Sequence, residues 1–353
     1  MTRRRILPIF IPNYGCEHDC VFCNQSRISG SLHTSPADVR AIINAAVLSG
    51  ESGRTENDMN MSRPIELALY GGSFTALPLS VQNEYLESAK TLLTLNPQNT
   101  IRISTRPDCI DHETVSRLSD FGVKTIELGA QSMDDEVLRL TKRGHSPDDV
   151  RAAAKVIKAA GLTLILQMMT GLPGDTREKS LGTAEQIAKL KPDGVRIYPA
   201  VIVRGTAMYD MWLGGEYSEH TVDDAISLCA ELVPVFDSAE IPIIRLGLNP
   251  TDDLSGGEAA AGAYHPALGE LVYSRVCYNM AEELLEEISP GSDVILTVSK
   301  GFTSKMTGRK RENIIKLTDR FSLRSLKVVE SDTKSKTSNL PIIHFFKHDQ
   351  DKD

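Results

Sequence analysis

The chain has 353 residues, of which 41% are hydrophobic and 24% are charged, and its formal net charge is −8. These values are ordinary for a soluble globular protein, and the length predicts one large domain with a smaller appendage. No apolar run of about 18 residues occurs, which excludes a transmembrane helix, and the negative charge argues against indiscriminate binding to nucleic acid. The N-terminal MTRRRILPIFIP indicates a first strand rather than a signal peptide, so we expect a cytoplasmic protein.

Apolar, β-branched segments recur through the first 248 residues and alternate with helical patterns. The segments are LPIFIP, IELALYGG, TIRISTRPD, VKTIELGAQ, LTLILQMMTG, GVRIYPAVIV and IPIIRLGL. In one intervening pattern, Ser146 is placed as N-cap, Pro147 at the first helical position and Gly161 beyond the end. This alternation predicts βαβ units and a parallel sheet. We expect an α/β fold in which residues 1–248 form a partial or full TIM-like (β/α) barrel of six to seven units. An open doubly wound sheet is the alternative.

Three cysteines lie close together directly after the first predicted strand. They have the spacing C-x3-C-x2-C and are Cys16, Cys20 and Cys23. In a reducing compartment, bunched thiols indicate a metal site rather than disulfides, whereas the isolated Cys109, Cys229 and Cys277 are predicted to fill the core. A structural zinc would require a fourth ligand, for which His18 or His33 is available. An iron–sulfur cluster would instead keep one iron open for a small molecule, at the end of a strand where barrel active sites gather.

This cysteine spacing, with the aromatic Phe22 before the third cysteine and βα units behind it, resembles the radical S-adenosylmethionine (SAM) superfamily. The resemblance implies that Cys16, Cys20 and Cys23 bind a [4Fe-4S] cluster. It also implies that SAM occupies the fourth iron and is cleaved reductively to a 5'-deoxyadenosyl radical. The missing fourth cysteine then has an explanation, because that iron is kept for the cofactor.

Further candidate residues lie at the ends of predicted strands. The segment LYGGSF ends the second strand, and the resemblance implies that Gly71, Gly72 and Ser73 bind the SAM amino group through the backbone. Polar side chains that can point into the barrel mouth, where they would orient SAM or substrate, are Glu127, Gln131, Arg143 and Gln167. A glutamine satisfied inside the core is the alternative for Gln167.

Several blocks resemble the catalytic subunit of Elongator, which modifies uridine 34 of tRNA. They are GGSFTALP, STRPD, IELGAQSMDDEVLRLTKRGH, RIYPAVIVRGTAMYDMW, IPIIRLGL and YHPALGELV. Two features depart from that subunit. The first cysteine gap is narrower, as in the coproporphyrinogen dehydrogenase type, and the acetyltransferase-like domain has no recognisable counterpart. The likeness therefore implies radical chemistry on tRNA, but not which group is transferred.

The C-terminal part is predicted to be a linker and amphipathic helix over 249–288 and a small basic α+β domain over 289–353. Residues 290–330 hold nine Lys and Arg against four Asp and Glu. The stretch MTGRKRENIIKL resembles the G-x-x-G loop of a KH-type module, although Arg311 replaces the second glycine. The clustered cations are predicted to bind RNA phosphates and are Lys300, Lys305, Arg309, Lys310 and Arg311. A solvated loop on a small domain is the alternative.

Taken together, the sequence predicts a radical SAM enzyme that acts on RNA, with tRNA as the expected substrate. The expected partners are SAM, tRNA and an electron donor such as flavodoxin or ferredoxin, and a separate acyl donor or acetyltransferase is possible; no membrane partner is expected. Two rival functions stay open. One is a radical SAM enzyme for a tetrapyrrole or another small molecule, and the other is a zinc-stapled RNA-binding protein without catalysis.

Overall fold

The structure, a computed structural model, describes residues 4–11, 20–24, 34–51, 63–251, 254–331, 340 and 343–347. The strands of its main sheet are β1 Arg5–Ile11, β2 Ile65–Gly71, β3 Thr100–Thr105, β4 Val123–Gln131, β5 Thr163–Thr170, β6 Gly194–Pro199 and β8 Ile243–Leu246. These seven strands are parallel and lie in the order β1-β2-β3-β4-β5-β6-β8. The spatial order follows the chain order without the reversal of a doubly wound sheet. The predicted partial barrel is therefore confirmed, and the doubly wound alternative is wrong.

Helices fill the connections between these strands. They are α1 Pro36–Glu51, α2 Leu79–Leu95, α3 His112–Asp120, α4 Asp135–Leu140, α5 Pro147–Ala159, α6 Arg177–Lys189, α7 Ala207–Leu213 and α8 Val222–Ser238. Helix α5 begins as predicted, because the Ser146 hydroxyl accepts from the Asp149 backbone in a capping box and Pro147 is the first residue. Gly161 follows its end with a φ of +69°. Among the described residues, no helix is both long enough and apolar enough to cross a membrane.

The two faces of the main sheet differ in polarity. On the convex face, residues such as Leu67, Leu69, Ile103, Ile126 and Leu166 are fully buried beneath the helices and form the main core. Successive strand residues point to opposite faces, so the residues between these apolar positions lie on the concave face. Several of those are polar or charged, and they supply the candidate site described below.

Beyond the barrel, α9 Leu268–Leu285 leads into a smaller α+β region. Its strands β10 Asp293–Ser299, β11 Ser325–Ser331 and β12 Ile343–Lys347 have the order β11-β10-β12, with β11 parallel and β12 antiparallel to β10. Helices α10 Thr303–Thr307 and α11 Glu312–Arg320 connect β10 to β11. Leu296, Val298 and Leu317 form a second core with Cys277 of α9. The predicted small α+β region is confirmed; the boundaries 1–248, 249–288 and 289–353 stay predictions.

A further pair of strands, β7 Val201–Val203 and β9 Ala259–Gly262, is antiparallel.

Candidate active site

The cysteine segment is described over residues 20–24, whereas Cys16, His18 and His33 lie outside the described residues. The Cys23 amide donates to the Cys20 carbonyl over 3.0 Å, so the two cysteines share one tight turn. Val21 is held on both sides. Its amide donates to the Thr141 carbonyl over 3.2 Å, and its carbonyl accepts from the Met208 amide over 2.7 Å. Phe22 is buried in an apolar cluster with Val21 and Met208. The segment is therefore fixed against the chain that follows α4 and against α7.

Arg143 joins this segment to the end of β4. Its Nη1 donates to the Cys20 sulfur over 3.3 Å, and its Nη2 donates to the Gly129 carbonyl over 2.7 Å. Its Nε is buried and has no hydrogen-bond partner among the described residues. A guanidinium that donates to sulfur compensates the negative charge of a metal-bound thiolate. Arg143 thus lies between the predicted cluster ligands and the barrel mouth.

The glycine segment lies where β1 and β2 end. Gly71 has a φ of +110°, and a Cβ there would approach the backbone oxygen of Ile11 to 2.8 Å. The Gly72 amide donates to the same oxygen over 2.8 Å. Ser73 is buried; its hydroxyl lies 3.0 Å from the Thr105 hydroxyl and accepts from the Arg106 amide. The segment therefore offers a ligand its backbone rather than the Ser73 side chain, and its predicted contact with SAM stays a prediction.

The concave face of the barrel holds a buried charged layer. It consists of the charged side chains of Glu66, Arg102, Glu127 and Arg196, with the uncharged Thr125 among them. Arg102 donates to Glu66 over 2.7 Å and lies 3.4 Å from Glu127, and the Thr125 hydroxyl donates to Glu66 over 2.9 Å. The Nε of Arg196 lies 3.1 Å from Glu127 Oε2, as an ion pair without hydrogen-bond alignment. Burial raises the pKa of Glu127, and the two guanidinium groups oppose that shift. Two carboxylates thus balance two guanidinium groups.

Above this charged layer, toward the carboxyl ends of the strands, lies a second layer that is only partly covered. Tyr70 and Tyr198 are half-buried there, and each phenolic oxygen accepts a hydrogen bond of 3.1 Å from Arg196. The Gln167 side chain donates to that of Gln131 over 3.2 Å. Gln131 is the last residue of β4 and has a φ of +64°. This phenol layer faces the side of the sheet on which the cysteine segment lies.

The structure brings most of the predicted site residues to one end of the barrel. These are Cys20, Phe22, Cys23, Gly71, Gly72, Ser73, Gln131, Arg143 and Gln167. Glu127 is different, because it lies in the charged layer, four residues before the end of β4. Its carboxylate forms ion pairs with Arg102 and Arg196. The functional roles of all these residues stay predictions.

Sequence reasoning overlooked five residues of the concave face, although the pattern contained a signal for them. In IELALY, TIRIST and VRIYP, polar residues alternate with apolar ones with a period of two, which is typical of a strand with one polar face. The overlooked residues are Glu66, Tyr70, Arg102, Arg196 and Tyr198.

The basic loop, Arg309–Arg311, lies between α10 and α11. All three of its side chains are exposed, and within the described part of the chain none pairs with a carboxylate. Arg311, at the position of the second glycine of a G-x-x-G loop, has the left-handed φ of +65°. Lys305 is not on this exposed surface. Its ammonium lies 3.6 Å from Glu270 and 5.0 Å from the Phe302 ring centre.

Comparison with known proteins agrees with this geometry. The radical SAM superfamily matches residues 10–187, and a radical SAM C-terminal domain matches residues 192–277. The first match covers half of the chain, so the chain belongs to the radical SAM superfamily. It is a radical SAM enzyme, and the cofactors of the superfamily are a [4Fe-4S] cluster and SAM. The residues present fit these groups, because the chain of Cys20 and Cys23 forms one turn and the Arg143 guanidinium donates to the Cys20 sulfur.

The most similar relatives include enzymes named tRNA uridine(34) acetyltransferase. The one from Dehalococcoides mccartyi is 28% identical over 276 residues, which is 69% of this chain and 60% of that protein. Elongator complex protein 3 of Bos taurus is 26% identical over 60% of this chain and 42% of that protein. The solved structure of Methanocaldococcus infernus Elp3 with an N-terminal deletion has a TM-score of 0.59 at 23% identity, over 79% of this chain and 63% of that one. The chain thus spans 60% or less of the length of these two curated relatives. The likeness to the solved structure shows that the fold is shared.

Proposed function

We propose that this radical SAM enzyme modifies tRNA. The observation that carries the catalytic part of the proposal is the continuous contact from Cys20 through Arg143 to Gly129, because it attaches the cysteine segment to a polar barrel mouth. Cys16, Cys20 and Cys23 would hold the cluster. When bound, the cluster and SAM would supply radical chemistry that removes a hydrogen atom from a substrate.

The remaining site residues would bind and orient. The backbone of Gly71–Ser73, the amides of Gln131 and Gln167 and the Arg143 guanidinium supply donors and acceptors for the amino, carboxylate and ribose groups of SAM. Phe22, buried beside the cysteines, would keep water from the cluster. Holding the target hydrogen close to the radical, in a site that excludes water, would give the reaction its rate and selectivity.

RNA as the substrate is supported by the basic loop and by the names of the relatives. The three consecutive loop cations are exposed and have no carboxylate partner among the described residues, so they are suited to phosphate binding, which releases counterions. Lys300 is also exposed and would extend this surface, whereas Lys305 is partly occupied by Glu270. A tRNA substrate would place the enzyme in the cytoplasm. Flavodoxin or ferredoxin would supply the electron, and a separate acyl donor or acetyltransferase would supply any acetyl group.

The catalytic part of the proposal is tested anaerobically. The protein is reconstituted with iron and sulfide, reduced with dithionite and incubated with SAM, and 5'-deoxyadenosine is measured with and without bulk tRNA. Release that tRNA stimulates is the expected result. Release that is indifferent to tRNA would contradict RNA as the substrate and favour a small molecule. No release from a loaded cluster would refute the proposal.

The RNA-binding part is tested with two charge-matched variants. One variant replaces the loop cations: Arg309→Gln, Lys310→Gln and Arg311→Gln. The control replaces three lysines that are exposed elsewhere: Lys124→Gln, Lys155→Gln and Lys189→Gln. In a plot of log affinity for tRNA against log salt, we expect the loop variant to lose about two to three units of slope and the control to keep the wild-type slope. Equal slopes for both variants would contradict a role for the loop.

A further inference from the structure

One arginine connects two tyrosines that belong to opposite sides of the barrel interior. Tyr70 is on β2 and Tyr198 is on β6, and three strands of the sheet lie between β2 and β6. Arg196 donates through Nη2 to the Tyr70 oxygen and through Nη1 to the Tyr198 oxygen, each over 3.1 Å. Its guanidinium also lies 5.7 Å from the centre of the Tyr70 ring. The two phenols are therefore held by a single buried cation.

The hydrogen bonds of Arg196 leave the phenolic O–H groups of Tyr70 and Tyr198 available as donors. A guanidinium only donates, so both phenols accept from Arg196 and each retains its own O–H as a donor. Among the described residues, neither phenolic oxygen has a hydrogen-bond partner other than Arg196. Both side chains are half-buried, whereas Arg196, Glu127 and Arg102 beneath them are buried. The two O–H donors thus belong to the partly covered phenol layer, which a ligand can reach.

Both phenols also stay protonated at neutral pH. Burial raises the pKa of Tyr70, and the Glu127 carboxylate adds to that shift. Burial likewise raises the pKa of Tyr198, and Arg196 opposes the shift. The Arg196 guanidinium, which donates to both phenolic oxygens, also polarises their O–H groups. A ligand oxygen that accepts from these O–H groups is therefore favoured over a ligand N–H group.

We propose that Tyr70 and Tyr198 read the target base through two acceptor oxygens and so select a uracil-type ring. Uracil presents two carbonyl oxygens on one ring, which matches two phenolic donors. Cytosine has one carbonyl oxygen and an amino group, which would oppose one donor to another. A site with buried polar groups rejects a ligand that leaves them unpaired. This inference rests on the proposed function and names the base on which that function acts.

The position of the pair in the fold supports a role in substrate reading. Tyr70 directly precedes Gly71, and Tyr198 directly precedes Pro199, the last residue of β6. Both therefore lie at the carboxyl ends of parallel strands, where barrel enzymes bind their substrates. Arg196 would act as a positioning residue, because it touches the two phenols rather than the base.

The experiment compares two RNAs with three tyrosine variants. The probes are an anticodon stem-loop RNA with uridine at position 34 and the same RNA with cytidine there. Binding is measured by fluorescence anisotropy, which requires no cluster, and 5'-deoxyadenosine release is measured separately on the reconstituted enzyme. The variants are Tyr70→Phe and Tyr198→Phe. The control is Tyr278→Phe, because the Tyr278 hydroxyl lies between Glu282 and Arg320, outside the barrel interior.

We expect the wild type and the Tyr278→Phe control to bind the uridine RNA more tightly than the cytidine RNA. Each of the other two variants should lose about 3- to 10-fold of that preference, the usual effect of one neutral hydrogen bond. The ratio of the two affinities is the readout, so a loss of folded protein lowers both values and leaves the ratio unchanged.

Two other outcomes separate the failure of this inference from the failure of the proposed function. A uridine preference that survives both Phe substitutions, or a wild type that binds both RNAs equally, would overturn the reading of the base by the tyrosines. Neither result touches SAM cleavage. A wild type without 5'-deoxyadenosine release would overturn the proposed function, and the anisotropy ratio would still decide whether the two phenols select uracil.

Discussion

Replacing Arg196 with methionine tests the charged layer beneath the site, because it removes a charge with little change in volume. The Nε of Arg196 lies 3.1 Å from Glu127 Oε2. At an effective dielectric constant of about 20, that separation corresponds to about 5 kcal/mol of attraction before desolvation is counted. Removal of one partner from a buried ion pair typically costs about 3 to 5 kcal/mol, since the other charge remains buried. We therefore expect Arg196→Met to lower the free energy of unfolding by about 3 to 5 kcal/mol at about pH 8.

The loss should depend on pH in a direction that the structure determines. Burial already raises the pKa of Glu127, and Arg196 is the strongest opposing influence, so Arg196→Met raises that pKa further. A carboxyl group with a raised folded-state pKa contributes stability that is fully present below its unfolded pKa. That stability is lost as the pH rises through the folded pKa. The free energy of unfolding of the variant should therefore be closest to that of the wild type near the unfolded-state pKa of Glu127, at about pH 4.5. The difference should grow as the pH rises.

Urea unfolding, followed by the fluorescence of the single tryptophan Trp212, measures both effects. With an m value of about 3 kcal/mol/M, the expected loss lowers the midpoint by about 1 to 1.7 M at about pH 8. The control is Arg177→Met, because Arg177 pairs with Glu231 on the surface and should contribute far less. A loss equal to that of the control, or a loss that is the same at about pH 8 and about pH 4.5, would show that the Arg196–Glu127 pair does not stabilise the barrel as described.

Three further predictions concern the site itself. Gly71→Ala should weaken SAM binding and cost about 1 to 3 kcal/mol of stability, because position 71 has a φ of +110° and an added Cβ would lie 2.8 Å from the Ile11 backbone. The control is Gly182→Ala, at a helical position with nothing within 4 Å of the added Cβ. Equal urea midpoints for the two variants would contradict strain at position 71. His145 is buried two residues after Arg143, and its Nε2 lies 3.1 Å from the Ala130 carbonyl oxygen. Burial lowers the pKa of His145 to about 4, so the wild type should lose about 3 kcal/mol of stability as the pH falls from about 6.5 to 4. That part of the slope should vanish in His145→Gln, and a slope that persists would show that another group causes it. Cys20→Ala should abolish the brown chromophore on anaerobic reconstitution, whereas Cys277→Ala, in the second core, should keep it; a brown Cys20→Ala protein would exclude Cys20 as a ligand.

Features that depend on neighbours along the chain could be predicted from the sequence. The start of α5 is an example, because Ser146 and Asp149 form its capping box and Pro147 is its first residue, all within four residues. The parallel βα fold follows from the alternation of strand and helix patterns in the same local way. Cys20 and Cys23 need only one turn to come together, so their spacing was sufficient to indicate a metal site.

Contacts between residues on different strands could not be predicted from the sequence and became visible in the folded chain. The ion pairs of Glu127 on β4 join it to Arg102 on β3 and Arg196 on β6, so they depend on the register of the four strands β3 to β6. The same register places Tyr70 and Tyr198 on one guanidinium, although 126 residues separate Tyr70 from Arg196. The need for glycine at position 71 likewise arises from Ile11 on the neighbouring strand. Spacing along the chain encodes contacts within a turn, whereas contacts between strands exist only once the sheet has curled and fixed its register.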